Sequence, residues 1–415
     1  MRNGRGMEKH PILPQTFSLP KRFYALSNPF WPNSLNSTNQ PTCSIMSTTE
    51  RFTALDVFRG MTVCFMIIVN NQAGSAPFEP LEHASWHGFT PTDLVFPSFL
   101  FAVGNAMAFT MPKMAGMGNG KVAGKILKRT FLIFLIGYLL SWYPFVSINS
   151  ADEWVPKTID KTRIFGVLAR IALCYGIAAM MIHFLSRKAV IFTSIAILLG
   201  YWLALDLGGD YTMLGNLGVP IDKWLVGENH MYKGEGIPFE PEGFLSTFPA
   251  AVNVIIGYFA GVLLREKGKD YEGIAKVLLA GAALMAIAYC WNYVFPINKK
   301  IWTSSYVLYT CGISLLLIGS LVYLNAKTSF RTGNYFFEVF GKNPLFIYVL
   351  SSFIPKTFNL IRDEDGRNLT AVISKDFFQQ ITPGALGALL YSIALMMVCW
   401  FVGYIMDKRK VYVRV

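Results

Sequence analysis

The chain has 415 residues, 53% of them hydrophobic and 15% charged, with a formal net charge of +12. So apolar a composition excludes an ordinary soluble domain. The Lys and Arg residues sit in short clusters between apolar runs, so the basic charge reads as membrane topology and not as a nucleic-acid surface. Five of the six cysteines lie inside apolar runs and no C-x-x-C spacing occurs, which argues against a disulfide framework and a zinc centre, and no metal is expected.

Residues 1–45 are rich in Pro, Asn and Ser and lack both the apolar core of a signal peptide and helical periodicity. They are expected to be disordered or an extension outside the genuine chain, with Met46 as an alternative start. Residues 46–415 then form a single membrane domain. Apolar runs follow at Ala54–Asn71, Asp93–Met111, Thr130–Ile148, Phe165–Leu185, Ala189–Leu207, Phe244–Leu264, Ile274–Val294, Thr303–Asn325, Tyr335–Ile354 and Ala385–Met406. Each is near the roughly 20 residues a spanning helix needs, which predicts an all-α integral membrane protein, a bundle of about ten transmembrane helices. Compact basic loops (Lys121 to Arg129, Arg187–Lys188, Arg265 to Lys269, Lys408 to Lys410) are expected in the cytoplasm, and with them both termini. The loop Gln72–Thr92 has no Lys or Arg and is expected outside, as are two long polar loops at residues 208–243 and 355–383.

The first outer loop and the next helix start bring Asn70, His83, His87 and Asp93 near one membrane face. An imidazole beside a carboxylate is ordinary equipment for general acid–base chemistry, and transfer of an acyl group to an amine needs such a base. Two plainer readings stand beside this one. Thr90, Pro91 and Asp93 occupy the N-cap, N1 and N3 positions of a helix start, which alone explains Asp93, and a loop histidine is often only a surface residue.

Asp56 and Arg59, three apart, form either an ion pair on one helix face or part of a site. Arg163 and Arg170, seven apart, are expected two turns along one helix, with forked donors suited to a diphosphate, while Arg163 fits an interfacial anchor equally well. Glu242, Asn298, Lys299, Lys300, Ser304 and Asn343 are polar residues at helix ends. For the lysines, snorkelling is an equal explanation. No Walker loop, G-x-S-x-G elbow or H-E-x-x-H motif occurs.

The segments "RFTALDVFRGMTVCFMIIVN", "HASWHGFTPTDLVFPSFLFAVG", "RIFGVLARIALCY", "EPEGFLST", "PINKKIWTSSYVL" and "GKNPLFIYV" resemble, in order, the heparan-α-glucosaminide N-acetyltransferases and their bacterial relatives of the transmembrane acyltransferase superfamily. The resemblance covers Arg51 to the C terminus. It implies a bundle of eleven helices or fewer in which cytosolic acetyl-CoA donates its acetyl group to a terminal glucosamine on the far side. It puts the essential histidine on His83, ten residues before Asp93, and a further asparagine on Asn70, while His87 stands where the family carries Asn. On this reading Asp93 orients His83. The coenzyme falls to Arg59, Arg163, Arg170, Asn298, Lys299 and Asn343, and the acceptor to Glu242, Trp86 and Ser304. The large luminal domain and extra first helix of the human-type enzyme are not found, so the expected acceptor widens to free glucosamine, de-N-acetylated oligosaccharides or cell-wall fragments. Whether acetyl rests on His83 or passes directly is open.

The expected setting is a bacterial inner membrane with its lipids. A homodimer is compatible with the sequence but not specified by it. The rival reading is a transporter or channel with a His/Asp relay, against which the lack of inverted repeats weighs.

Overall fold

The structure, a computed structural model, describes residues 53–413 apart from 75, 149–152, 268–269 and 329–331. The expectation for residues 1–45 lies outside the described residues. Twelve principal helices make up the described chain: α1 (Thr53–Asn70), α2 (Val95–Thr110), α3 (Asn119–Trp142), α4 (Val167–Phe184), α5 (Arg187–Gly208), α6 (Gly218–Val226), α7 (Thr247–Lys267), α8 (Tyr271–Trp291), α9 (Ser304–Lys327), α10 (Asn334–Lys342), α11 (Pro344–Phe358) and α12 (Ala385–Lys408). The only sheet among the described residues is a small antiparallel hairpin, β1 (Val146–Ile148) with β2 (Trp154–Pro156). The protein is an all-α integral membrane protein.

Among the described residues, eight helices are long and apolar enough to cross a bilayer: α1, α2 with its flanking turns, α4, α5, α7, α8, α9 and α12. Two others correct the sequence reading in detail. α3 is 24 residues long, but Lys121, Lys125, Lys128 and Arg129 occupy its first half, and it ends at Trp142 where a run to Ile148 was expected. The expected span Tyr335–Ile354 is two helices. Pro344 disfavours helical dihedrals at the residue before it, and Asn343 sits at φ −131, ψ 50, so α10 stops and α11 starts afresh.

Close helix contacts are set by small residues, as expected where apolar burial gives little drive between helices in lipid. A Cβ on Gly104 of α2 would lie 1.9 Å from the Val254 carbonyl of α7, and one on Gly257 of α7 would lie 2.1 Å from the Phe101 carbonyl of α2. α1 and α10 meet in the same way through Gly60 and Gly341. These backbones touch, so any side chain there would force the pair apart.

Alternate connections gather at one end of the bundle and are tied together there. Gly88 N donates to Ile297 O at 2.9 Å and Ile164 N to His230 O at 3.2 Å. Trp86 Nε1 donates to Tyr211 O at 2.8 Å, and Ser374 Oγ to Ala73 O at 2.6 Å. The opposite end is closed by Lys342 on Asp407 at 2.8 Å and by Asn343, whose amide pairs with Val411 O and Val413 N at 3.0 and 2.9 Å. Beneath the tied loops lies a second apolar cluster of Tyr201, Leu205, Val219, Phe239, Phe295 and Ile301, with Trp86 packed against it. It gives the loops a fixed floor.

Candidate active site

The loop after α1 carries His83, and the turn before α2 carries Asp93. Pro91 opens that turn as a 3-10 helix over Pro91–Leu94, and Asp93 stands at its third position. Asp93 is 1% exposed, yet each of its oxygens is engaged. Oδ2 accepts from Thr90 N at 3.0 Å, Ala84 N at 3.1 Å and Thr90 Oγ1 at 3.1 Å, and Oδ1 lies 2.7 Å from His83 Nδ1. The helix-start reading thus accounts for one oxygen of Asp93, and the other oxygen faces the His83 ring. Below it, the Tyr306 hydroxyl of α9 donates to the Asp93 carbonyl at 2.7 Å, fixing the turn on the core.

Burial works against the charge of Asp93, but the His83 contact, Lys299 and the backbone donor at Ala84 favour the carboxylate, so Oδ1 accepts from His83 Nδ1 and Nε2 is the ring nitrogen left on the other edge. Lys299 Nζ lies 2.9 Å from Nδ1, 3.2 Å from Nε2 and 3.5 Å from Asp93 Oδ1. With the Nδ1 proton committed, the ammonium's donors are left for Nε2 and the carboxylate. Burial pulls Lys299 below the ordinary lysine range, against the pull of Asp93 and Glu242. The His83 ring itself is 44% exposed, so the pair is closed at its base and open at its rim.

Asn298, fully buried, holds the lysine's loop. Its Oδ1 accepts from Ile301 N at 3.1 Å, its backbone pairs with Thr303, and its Nδ2 reaches His87 Nδ1 at 3.3 Å. His87 is thus tied to the loop that presents Lys299 and is not in the contact between His83 and Asp93. Trp86 braces the same region with an edge contact to Phe239 at 5.7 Å.

A second charged cluster adjoins the first. Arg163 bridges Glu240 and Glu242, donating Nε to Glu240 Oε2 at 3.0 Å and Nη2 to Glu240 Oε1 and Glu242 Oε2, and its guanidinium covers Tyr232 at 4.6 Å. Burial opposes Arg163's charge, but Glu242 and Glu240 outweigh it and raise its pKa further. Burial also lifts Glu240 to about 7, while Arg163, Arg170 and Lys299 overcome burial at Glu242 and keep its carboxyl below the usual range. Arg163 and Arg170 do not share a helix face, because extended Gly166 (φ −165, ψ −176) delays α4 to Val167 and leaves Arg163 in the loop. Arg170, fully buried, donates to Gly243 O and to Ser246 and stacks over Trp302 at 4.8 Å.

The other residues marked in the sequence lie apart. Ser304 is fully buried and donates to Leu198 O at 2.7 Å, joining α9 to α5. Asn343 secures the C-terminal segment at the far end. Arg59 spends Nε on Gly341 O at 2.8 Å and pairs with Asp56, the plainer of the two readings of that pair. Asn70 is exposed at the end of α1 and has no side-chain hydrogen bond to other described residues.

Several residues of the assembly were not singled out in the sequence. Glu240, two positions before Glu242 and sharing its arginine, was legible as E-P-E. Asp222 accepts from Phe244 N at 2.8 Å, and it lines a small hollow with Glu240, Ser246 and Lys300. No local pattern marks Asp222 or Tyr306.

The fold and site define a membrane-embedded bundle with a histidine–carboxylate pair at one rim. A model of the heparan-alpha-glucosaminide N-acetyltransferase catalytic region matches residues 51–285, more than half the chain, and the protein belongs to that family. It is 27% identical over 383 residues to heparan-alpha-glucosaminide N-acetyltransferase of Homo sapiens, covering 78% of this chain and 56% of the relative. To the enzyme of the same name from Mus musculus it is 25% identical over 448 aligned positions, covering 93% of this chain and 64% of that one. The chain thus spans somewhat under two thirds of the length of either relative.

Proposed function

We propose that the protein transfers the acetyl group of acetyl-CoA to the amino group of a glucosamine-type sugar, taking the donor from the cytosolic side and the acceptor at the His83 rim. The single observation that carries the reading is the 2.7 Å contact between His83 Nδ1 and a carboxylate already fixed by three donors. Family membership and the printed activity of the relatives support it. The run of basic loops at the other end supports the sidedness, with a bacterial plasma membrane as the setting.

A sugar ammonium must lose a proton before its nitrogen can attack. Nε2 of His83 takes that proton, the new N–C bond forms at the thioester carbonyl, and the C–S bond breaks. Coenzyme thiol leaves, and one proton per turnover passes to solvent. Asp93 holds the ring's tautomer and stabilises the imidazolium that forms. Lys299, at the ring edge, is the donor available to the carbonyl oxygen as charge develops there. Glu242 offers the acceptor's ammonium a carboxylate close to Lys299. The same Nε2 lone pair could instead carry the acetyl group, and a burst of thiol release before acceptor is added identifies that route.

Purified protein with acetyl-CoA and glucosamine is expected to release free thiol in step with N-acetylglucosamine. Absence of acetylated sugar from an amine panel would overturn the activity, and full activity in His83→Ala would overturn the assignment of the base.

A further inference from the structure

The end of the bundle opposite His83 carries charge of two kinds. At the turn between α7 and α8, Glu272 accepts Lys267 at 2.9 Å and Lys276 at 2.5 Å, so the basic residues there have partners. Around α3 and the α4–α5 connection no acidic partner is found among the described residues, and Arg187 lies instead over the Phe259 ring at 5.5 Å. The sequence holds no Asp or Glu from residue 94 to 151, nor from 161 to 205. Lys121, Lys125 and Lys128, at i, i+4 and i+7, line one exposed side of α3. No ion pair of these three is found among the described residues. Arg187 and Lys188 open α5 at the same end, which His183 of α4 ties to Asn119 of α3 at 3.2 Å.

α3 packs on α4 and buries only Val122, Ile126 and Ile133, while Leu127 and Phe131 beside the lysines are 58% and 63% exposed. Its apolar portion after Arg129 runs from Thr130 to Trp142. At 1.5 Å per residue that spans about 20 Å, against roughly 30 Å of hydrocarbon. The lysine side therefore meets the bilayer below headgroup level, and its ammonium groups must rise to the headgroups or draw them down. Arg129 adds a guanidinium laid over Tyr175 at 4.6 Å, with Nε buried and without a partner among the described residues.

We infer that Lys121, Lys125, Lys128 and Arg129, with Arg187 and Lys188, form a binding site for the anionic headgroup of a phospholipid. The occupant is a lipid and not a soluble phosphate, because the lysines alternate with exposed apolar side chains on a bilayer-facing helix. The inference does not depend on the transfer activity.

The test uses the full chain in nanodiscs of phosphatidylcholine alone or with phosphatidylglycerol, followed by mass spectrometry of the lipid retained after extraction. Wild-type protein is expected to retain phosphatidylglycerol over phosphatidylcholine. The triple variant Lys121→Gln, Lys125→Gln, Lys128→Gln should lose this preference by roughly tenfold or more, as three juxtamembrane cations are removed. The matching Lys→Arg triple and a Lys267→Gln, Lys276→Gln control should keep it. Equal retention of the two lipids by wild type would overturn the proposal. So would an undiminished preference in the Gln triple, or displacement of the bound lipid by adenosine 3′,5′-bisphosphate, which would make the stripe a nucleotide site.

Discussion

Two charged clusters stand side by side under the loops. In one, Arg163 faces Glu240 and Glu242, and the carboxylates are 0% and 13% exposed. In the other, a buried Asp93 holds a His83 ring that is 44% open to solvent, with one nitrogen facing Lys299 and not a matching carboxylate. Both are assembled from segments far apart in sequence and both place ionised groups out of water. The first shares one Arg163 between two carboxylates, with Arg170 and Lys299 adding to the field at Glu242, and so reads as a clamp joining the α4 entry to the α7 entry. The second leaves one edge of the imidazole open at the rim, the edge that the proposed reaction would use. Saturation, more than the mere presence of charge, separates scaffold from chemistry here.

Substitutions should divide along the same line. His83→Ala is expected to lower acetyl transfer by up to about 10⁴-fold with the thermal midpoint unchanged, since general base catalysis contributes roughly that range and the ring is half exposed. A parallel loss of stability would mean that His83 is structural after all. Arg163→Leu should do the reverse. It leaves two buried carboxylates without their cation and should cost about 3–5 kcal/mol in denaturant unfolding. Near-wild-type stability would show the clamp to be dispensable. Asp93→Asn should fall between, with transfer down about a hundredfold as the tautomer is lost, together with about 1 kcal/mol from the weakened helix start. Activity equal to wild type would remove Asp93 from the chemistry.

The smallest effect is a slope. Burial raises the Asp222 carboxyl to about 6. Between the ordinary aspartate value and 6 the folded state binds more protons than the unfolded chain, so stability is full at the acid side and declines as pH rises through 6. The loss is on the order of 1–3 kcal/mol. In Asp222→Asn that decline should flatten. An unchanged slope would assign it to Glu240, which burial lifts in the same sense to about 7.

The membrane architecture was legible wherever hydropathy alone decides: the eight long apolar helices lie where the runs predict them. It was less legible where one residue interrupts a run. Asn343 and Pro344 divide an apolar stretch that window averaging treats as continuous, and extended Gly166 removes Arg163 from the helix its spacing suggested. The contact between His83 and Asp93 was within reach because both residues lie in one short loop and helix start. Lys299 was marked as a polar residue at a helix end, but its approach to His83 from 216 positions away is set by how α8 and α9 pack. Ser304 shows the reverse case: a hydroxyl at a helix entry looks available in sequence, whereas the packed structure has it donating to the Leu198 carbonyl.

The amide of Thr90 and the imidazole of His83 hang from one carboxyl group, 3.0 Å from one oxygen and 2.7 Å from the other. The group that helps start the helix therefore also aims the ring, so a disturbance of the turn at Thr90 moves the histidine's partner with it. Backbone exchange at Thr90 then becomes a remote gauge of ring alignment, readable in lipid without substrate. A ligand that tightens one should be felt, in the same proportion, at the other.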